Sequence, residues 1–415
     1  MAYDLAAIRA QFPSLAIEDN GKPRVYLDNP AGTQVPSRVV DAMSECLLTS
    51  NANVGGYFAT SRAAGTIVAD ARHAMADLLN AASPDEIVFG QNMTSITLHM
   101  SRSIGRLFRP GDEIVLSRMD HDANVWPWVM MARDHELEIK WLPFDTASFE
   151  FELEVLDELL TDRTRLVCVG AASNLTGTLN DVVAICAKAR AAGALTYIDA
   201  VQSVPHVVTD VQAIGCDFLA CSPYKFFGPH QGVLYGRREV LEQLEAYKVR
   251  PAPTDVPGRF EPGTQSHEGF AGITAAVEYL AWIGETMVGA SGRPAALRAA
   301  MRKLFDYEQA LAAQLIDGLR ELDGVTVQGI TAADALERRV PTVAFTHERL
   351  APDAIASALA EENIFVWSGH NYAVEVARAL GILESGGAVR IGPVHYNSAA
   401  EIDVTLEALR EIIEA

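Results

Sequence analysis

A lysine inside an aromatic segment is the first candidate for covalent chemistry in this sequence. Lys225 lies between Tyr224 and Phe226, and Phe227 and Gly228 follow. Such surroundings remove water from an ammonium group, which lowers its pKa and makes the neutral amine available as a nucleophile. A structural lysine whose aliphatic chain lies along the edge of a core gives the same local pattern. The neighbouring motifs are therefore needed to distinguish a catalytic lysine from a structural one.

Other polar residues follow short apolar runs. Asp199 comes directly after Leu195–Ile198, and His121 and Asn174 stand in similar positions. The segment 90–95 follows another run and leads into a helical pattern, which would point backbone N–H groups and the Thr94 hydroxyl at an anion. Taken singly these signals are weak, because Ser and Thr before a helix are most often N-caps.

Together, these residues suit pyridoxal phosphate. That cofactor needs a lysine for a Schiff base, a carboxylate that keeps its pyridine nitrogen protonated, and a cup for its phosphate. Lys225, Asp199 and the turn before the helix offer these three groups. The combination favours a catalytic lysine over a structural one.

The elements that position these residues alternate between strands and helices from about residue 84 to 235. This pattern predicts an α/β fold with a mostly parallel sheet, in which ligands bind at the carboxyl ends of the strands. A helix is predicted over 180–192, with Gly193 at its end. The predicted strands are Glu86–Phe89, Asp112–Leu116, Glu138–Leu142, Leu166–Val169, Leu195–Ile198 and Asp217–Ala220.

A Pro- and Gly-rich segment at 250–263 interrupts this alternation. Helices are predicted after it at 270–285 and 294–322, and then strands at 325–327 and 342–345 and a helix at 353–362. The interpretation is a large domain over 22–290 and a smaller α+β domain formed by 1–21 and 291–415.

Composition excludes several classes of protein. With 33 basic and 54 acidic side chains among 415 residues, the formal charge is −21, which disfavours nucleic acid and anionic membranes as partners. No run of 18 apolar residues and no signal peptide is visible, so a cytoplasmic protein is expected. The five cysteines are odd in number, lack CxxC spacing and all occur by residue 221, which disfavours a disulfide framework or a metal site.

Seven segments, in this order, resemble the class V aminotransferases and in particular their cysteine desulfurase-like branch. The resemblance implies the type I fold of pyridoxal-phosphate enzymes, with a seven-stranded, mostly parallel sheet in the large domain and a smaller C-terminal α+β domain. It also implies a homodimer with shared active sites. The segments are Tyr26–Gly32, Asp120–Asn124, Ser173–Thr178, Asp199–Gln202, Ser222–Pro229, Phe260–Thr264 and Val389–Ile391.

The resemblance also implies roles for individual residues. Lys225 would form the Schiff base and move the Cα proton, and His121 and Tyr224 complete the predicted catalytic set. Arg390 would bind the substrate carboxylate, and Thr264 would reach the phosphate of the other subunit's cofactor. The predicted cofactor-binding set is Met93, Thr94, His121, Asn174, Asp199, Gln202, Ser222, Lys225 and Thr264. The predicted substrate-binding set is Ala31, Gly32, Asn174, His370, Tyr372 and Arg390.

Three positions depart from the family pattern. Tyr372 stands where desulfurases carry the cysteine that attacks the substrate sulfur, and no cysteine follows Cys221. Without a thiolate no persulfide can form there. Tyr224 replaces the usual histidine before the lysine, and a phenol is a poorer acid near neutrality. Met93 contributes only its amide to the phosphate turn, so the cup depends more on Thr94 and Ser222.

The sequence therefore predicts a pyridoxal-phosphate enzyme that acts on a small amino acid, of aminotransferase or lyase type, with C–S lysis included. A standard cysteine desulfurase is disfavoured. Two alternatives remain open at this stage, namely a non-catalytic cofactor-binding partner or regulator and an amino-acid epimerase.

Overall fold

A seven-stranded sheet forms the centre of the structure, a computed structural model that describes residues 3–415. Its spatial order is β1-β7-β6-β5-β4-β2-β3, and β7 is antiparallel to both of its neighbours while the other pairs are parallel. This confirms the predicted mostly parallel sheet of seven strands. The strands are β1 Ile87–Gly90, β2 Glu113–Ser117, β3 Glu138–Leu142, β4 Thr164–Gly170, β5 Leu195–Asp199, β6 Phe218–Cys221 and β7 Gly232–Gly236.

The strand β7 was not among the six strands predicted individually. It is a five-residue run with glycine at both ends, so neither its length nor its composition separates it from the loop after Lys225. It pairs with β1 at one edge of the sheet and with β6 on the other side.

Both faces of the sheet are buried. Alternate residues of each strand point to opposite sides, and the residues of each side lie in a hydrophobic cluster. Val115, Val167 and Ile198 belong to one hydrophobic cluster, whereas Leu116 and Leu166 belong to the other. Some of the helices cover these two faces, and others pack on a second sheet. The helices are α1 Leu5–Arg9, α2 Ser37–Thr49, α3 Ala59–Leu79, α4 Met93–Gly105, α5 Trp126–Asp134, α6 Leu153–Leu159, α7 Val182–Ala191, α8 Val211–Ile214, α9 Arg238–Gln243, α10 His267–Ile283, α11 Arg293–Arg320, α12 Pro352–Glu361, α13 Val374–Ala379 and α14 Ala399–Glu414.

A second, antiparallel sheet has the order β8-β9-β11-β10 and packs against α11, α12 and α14. Only the first two of its strands were predicted as strands. The strands are β8 Val325–Gln328, β9 Val343–His347, β10 Trp367–Gly369 and β11 Ala388–Ile391.

The chain near the N-terminus contacts both units. Ile8 and Phe12 belong to a cluster of the large sheet, whereas Val25 and Leu27 pack in the cluster of the small sheet. The long helix α11 also contributes residues to both clusters. The domain boundaries at 22 and 290 therefore stay predictions.

Within residues 3–415, none of the helices combines the length and apolarity needed to cross a bilayer.

Candidate active site

A cavity of about 370 Å³ lies at the carboxyl ends of β4, β5 and β6, with the small sheet on its other side. It brings together most of the residues predicted for the site. Those that line it are Ala31, Met93, Thr94, His121, Asn174, Asp199, Gln202, Ser222, Tyr224, Lys225, Tyr372 and Arg390.

Lys225 ends a short 3₁₀ turn, Pro223–Lys225, that follows β6 directly. Its ammonium group donates a hydrogen bond to the carbonyl oxygen of Pro30 and lies 4.7 Å from the centre of the Tyr224 ring. Burial and, after it, the positive charge of Arg390 lower the pKa of Lys225, Asp28 and Asp199 act in the opposite direction, and the resulting pKa is about 7. The amine is thus available in its neutral form near neutral pH.

Asp199 is the last residue of β5 and is 7% exposed. Burial raises the pKa of its carboxyl to about 6, and a hydrogen bond of 2.9 Å from the Val201 amide to Oδ1 partly offsets that rise. A cation placed beside this carboxylate would lower its pKa again, because opposite charges stabilise each other in a buried site. A protonated pyridine nitrogen is such a cation.

His121 follows β2 and is held by a network that the sequence did not reveal. Its Nδ1 accepts a hydrogen bond of 3.0 Å from the Ala123 amide, which places the imidazole proton on Nε2. Burial lowers the pKa of His121 to about 3, so the ring stays neutral and offers a flat face to the cavity. The adjacent Asp120 accepts hydrogen bonds from Gly170 N at 2.7 Å and Asn124 Nδ2 at 2.7 Å, and so ties this loop to β4.

The N-terminus of α4 forms one wall of the cavity. Asn92 caps the helix through a hydrogen bond of 2.8 Å from Ser95 N to its Oδ1, which leaves Met93 and Thr94 in the first turn. A Cβ at Gly232 on β7 would lie 2.4 Å from the carbonyl carbon of Asn92, so only glycine lets this turn sit so close to the sheet. The geometry suits an anion at the helix terminus.

A chain of contacts connects Gln202 to the small sheet. Its Nε2 donates to Thr342 Oγ1 at 2.9 Å. The carbonyl of Thr342 in turn accepts from Arg339 Nη2 at 2.5 Å, and the fully buried Arg339 also donates to the carbonyls of Ile330 and Thr176. The buried guanidinium of Arg339 therefore fixes the backbone of Thr342, and the Thr342 hydroxyl in turn accepts the hydrogen bond from Gln202.

Arg390 lies on β11 and is 4% exposed. It donates from Nη1 to the carbonyl of Asn174 at 3.0 Å, and its Nη2 lies 3.4 Å from Asp28 Oδ1. Its Nε, like Asn174 Oδ1, is buried and has no hydrogen-bond partner in the part of the chain that the structure describes. A guanidinium edge with a free donor is suited to a carboxylate.

The loop from Gly369 to Ala373 closes the cavity. Its backbone is fixed by two contacts with the large domain, from Asn174 Nδ2 to the Asn371 carbonyl at 2.7 Å and from Asp122 N to the Tyr372 carbonyl at 2.8 Å. The Tyr372 ring lies nearly parallel to His121, with ring centres 5.4 Å apart. Tyr372 remains 68% exposed, so it forms the rim and not the floor.

Three predicted residues do not line this cavity. Gly32 packs beneath the ring of Tyr224, whose Cδ2 would lie 3.3 Å from an added Cβ. His370 is exposed and accepts a hydrogen bond from Tyr372 N at its Nδ1. Thr264 lies in a separate pocket with Gln91 and Ser95.

Sequence reasoning missed several residues of the cavity or its support. Asp28 and Asp120 lie within segments that resemble the family, but the sequence predicts no function for them. Asn371 adjoins the predicted Tyr372, yet nothing in the sequence signals that it faces inward.

These residues fit pyridoxal phosphate. A buried lysine with a lowered pKa, a buried carboxylate and a helix N-terminus border one cavity, and a neutral imidazole ring also faces it. The free Nε of Arg390 adds a donor for an amino-acid carboxylate.

Comparison with known proteins agrees with this chemistry. A family model described as aminotransferase class-V matches residues 25–405. The chain is 33% identical over 427 residues to a cysteine desulfurase of Pectobacterium atrosepticum, covering 99% of this chain and 98% of that protein. It is 31% identical over 433 residues to a cysteine desulfurase of Yersinia pestis, covering 99% of each.

Solved structures show the same similarity. The apo cysteine desulfurase of Thermococcus onnurineus NA1 superimposes with a TM-score of 0.85 at 28% identity, over 94% of this chain and 95% of that one. A cysteine desulfurase of Escherichia coli gives a TM-score of 0.85 at 27% identity, over 100% of this chain and 99% of that one. With its fold and cavity, the chain belongs to the class V aminotransferase family as a pyridoxal-phosphate-dependent, cysteine desulfurase-like enzyme.

Proposed function

We propose that this enzyme acts on a small amino acid by aminotransferase or lyase chemistry, without forming a persulfide on the protein. One observation carries the proposal. The cavity joins Lys225, Asp199 and Arg390, yet a tyrosine and no cysteine stands on the loop that closes it.

Pyridoxal phosphate, when bound, supplies an electron sink that stabilises negative charge at the substrate Cα. Lys225 would hold it covalently, Asp199 would pair with its ring nitrogen, and His121 would cover one ring face. Gln202 would donate to its phenolic oxygen, with Asn174 nearby. Its phosphate would be held by the amide of Met93 and by the Thr94 and Ser222 hydroxyls, all from residues that line the same cavity.

Lys225 is suited to move a proton at Cα. A base works best when its pKa lies near the operating pH, and the pKa of about 7 meets that condition. The carbonyl of Pro30 orients the amine. Tyr224 lies beside it, but burial raises the pKa of its phenol, so Tyr224 serves as a neutral hydrogen-bonding and packing group.

Arg390 would bind the substrate carboxylate, and Ala31 would face it from the segment after Asp28. Tyr372 and Trp367 narrow the opening of the cavity, which favours a small substrate. His370 supports this rim from outside through its hydrogen bond to the Tyr372 amide.

No thiol is placed to accept sulfur. All five cysteines are buried and free, and none lines the cavity. Burial also raises the pKa of all five thiols, and it raises that of Cys186 to about 12. Attack on a substrate sulfur requires a thiolate in reach of the substrate.

A homodimer with shared sites accounts for surface features that the single chain leaves open. Leu48, Tyr57 and Phe58 are 85%, 98% and 58% exposed, which is unusual for large apolar side chains so close in sequence. Thr264 lies outside the cavity of its own chain, so any contact with a cofactor phosphate would have to be made in the partner's site.

Absorbance spectroscopy of the purified enzyme tests the proposal. The holoenzyme should be yellow, bleach with borohydride, and change its spectrum with at least one small amino acid, whose products then separate transfer from elimination. Lys225→Ala should prevent the covalent attachment. With L-cysteine, mass spectrometry should find no persulfide on the protein. A cofactor-loaded protein that responds to no amino acid would indicate a regulator, and a persulfide on any cysteine would contradict the proposal.

A further inference from the structure

A second unpaired acceptor lies in the wall of the cavity. Asn371 is 7% exposed and lines the cavity, and its Oδ1 is buried without a hydrogen-bond partner among residues 3–415. A buried amide oxygen without a partner is costly, and in a residue that lines a ligand cavity a donor on the ligand can satisfy it.

The orientation of this carboxamide is fixed by its neighbours. Its Nδ2 donates to the carbonyl oxygen of Gly369 at 3.0 Å. The flipped amide would place two oxygens against each other there, so the oxygen of Asn371 must be the free atom. The backbone is also held, because the Asn371 carbonyl accepts from Asn174 Nδ2 at 2.7 Å.

The backbone conformation explains why asparagine is suited to this position. Asn371 has φ 51° and Tyr372 has φ 58°, both in the left-handed region. Asparagine tolerates that region better than other residues with a Cβ. The loop thereby turns the carboxamide inward while the tyrosine ring stays at the rim.

Asn371 lies next to the groups that would hold the substrate. Arg390 donates to the carbonyl of Asn174, and Asn174 donates to the carbonyl of Asn371, so the three residues form one connected wall. With the substrate carboxylate on Arg390 and its amino group directed to the cofactor at Lys225, the remaining substituents of Cα are a hydrogen atom and the side chain. Because Asn371 is connected through Asn174 to Arg390 and lines the same cavity, it lies on a side that the substrate side chain can reach.

We propose that Asn371 determines specificity by accepting a hydrogen bond from the substrate side chain, and that the substrates are small amino acids carrying a hydroxyl or amide donor. This inference rests on the proposed function. A substrate without a donor would cover the Asn371 oxygen and leave it unpaired. The thiol of cysteine is only a weak donor and satisfies the oxygen poorly.

Matched pairs of amino acids test this inference through binding. Spectral titration of the holoenzyme gives dissociation constants for L-serine against L-alanine and for L-threonine against L-2-aminobutyrate, which differ chiefly in the donor. The wild-type enzyme should bind the donor-bearing member about tenfold more tightly. Asn371→Gly keeps the left-handed backbone, removes the acceptor and should bring the ratio close to one.

Asn80→Gly is the matched control. Asn80 also has a left-handed backbone, φ 53°, but it ends α3 away from the cavity, so its variant should keep the wild-type ratio. Equal binding within both pairs by the wild-type enzyme would overturn the inference without any variant, as would an unchanged preference in Asn371→Gly. In either case spectral changes with all four amino acids would leave the proposed function standing. No spectral change with any amino acid would instead refute the proposed function itself.

Discussion

Replacing Arg390 with lysine tests the carboxylate site while keeping its positive charge. Arg390 is almost completely buried and already uses Nη1 on the Asn174 carbonyl and Nη2 near Asp28. Its Nε is the free donor, so a bound carboxylate would meet Nε together with an Nη hydrogen. Lysine has a single nitrogen, which cannot contact Asp28, Asn174 and both carboxylate oxygens in the same geometry.

The expected loss follows from the number of hydrogen bonds removed. A hydrogen bond to a charged group contributes about 1.5–3 kcal/mol, and Arg390→Lys removes at least one of the two that the carboxylate would accept. Since 1.4 kcal/mol corresponds to a factor of ten, we expect amino acids to bind roughly 10- to 150-fold more weakly.

Spectral titration with L-alanine and with ethylamine isolates this contact, because the two differ by the carboxylate. Arg390→Lys should weaken the binding of L-alanine and leave that of ethylamine unchanged. Arg349→Lys is the control, since the Arg349 side chain is 66% exposed and lies outside the cavity. An equal loss for both ligands would show that Arg390 shapes the cavity without binding the carboxylate, and the assignment would be wrong.

Three further outcomes follow from buried groups. Burial lowers the pKa of Lys225 to about 7, so between pH 7 and the ordinary lysine pKa the unfolded chain binds one proton more than the folded chain, and the stability of the fold rises with pH. Lys225→Met removes this penalty and should raise the Tm of the apoprotein most below pH 7, with a gain that shrinks as pH increases. Glu308→Ala should lower the free energy of unfolding by about 3–5 kcal/mol in denaturant titrations, because the fully buried Glu308 accepts from His206 Nδ1 at 2.8 Å and its loss leaves that group unpaired. The native protein should show no thiol that reacts rapidly with a disulfide reagent, whereas Tyr372→Cys should add one reactive thiol at the exposed rim. A rapidly reacting thiol in the wild-type protein would contradict the burial of all five cysteines.

The residues at strand ends were the most predictable part of the site. Asp199 and Lys225 each follow a buried strand, and parallel strands deliver their carboxyl ends to one edge of the sheet. The apolar runs that define those strands are visible in the sequence. Their order in the sheet is not, since the run 232–236 joins the sheet in antiparallel orientation between β1 and β6.

The residues from the small sheet were less predictable from local pattern. Arg390 was identified through the family resemblance, because one arginine within an apolar strand carries no signal of its own. Asn371 was missed because its inward direction depends on two consecutive left-handed residues and on the carbonyl of Gly369. The role proposed for Thr264 would require a second chain, which no single-chain property reports.

The loop around Tyr372 is fixed to the rest of the cavity wall, which bears on the proposal that no sulfur is passed through the protein. A thiol that takes sulfur from a substrate and then delivers it elsewhere has to meet two partners in turn. Here the Asn371 and Tyr372 carbonyls are both hydrogen-bonded to the large domain, and the His370 ring fixes the Tyr372 amide. The loop backbone is thus held as a wall of the cavity, and a cysteine at position 372 would bring its thiol to the exposed rim on a fixed backbone.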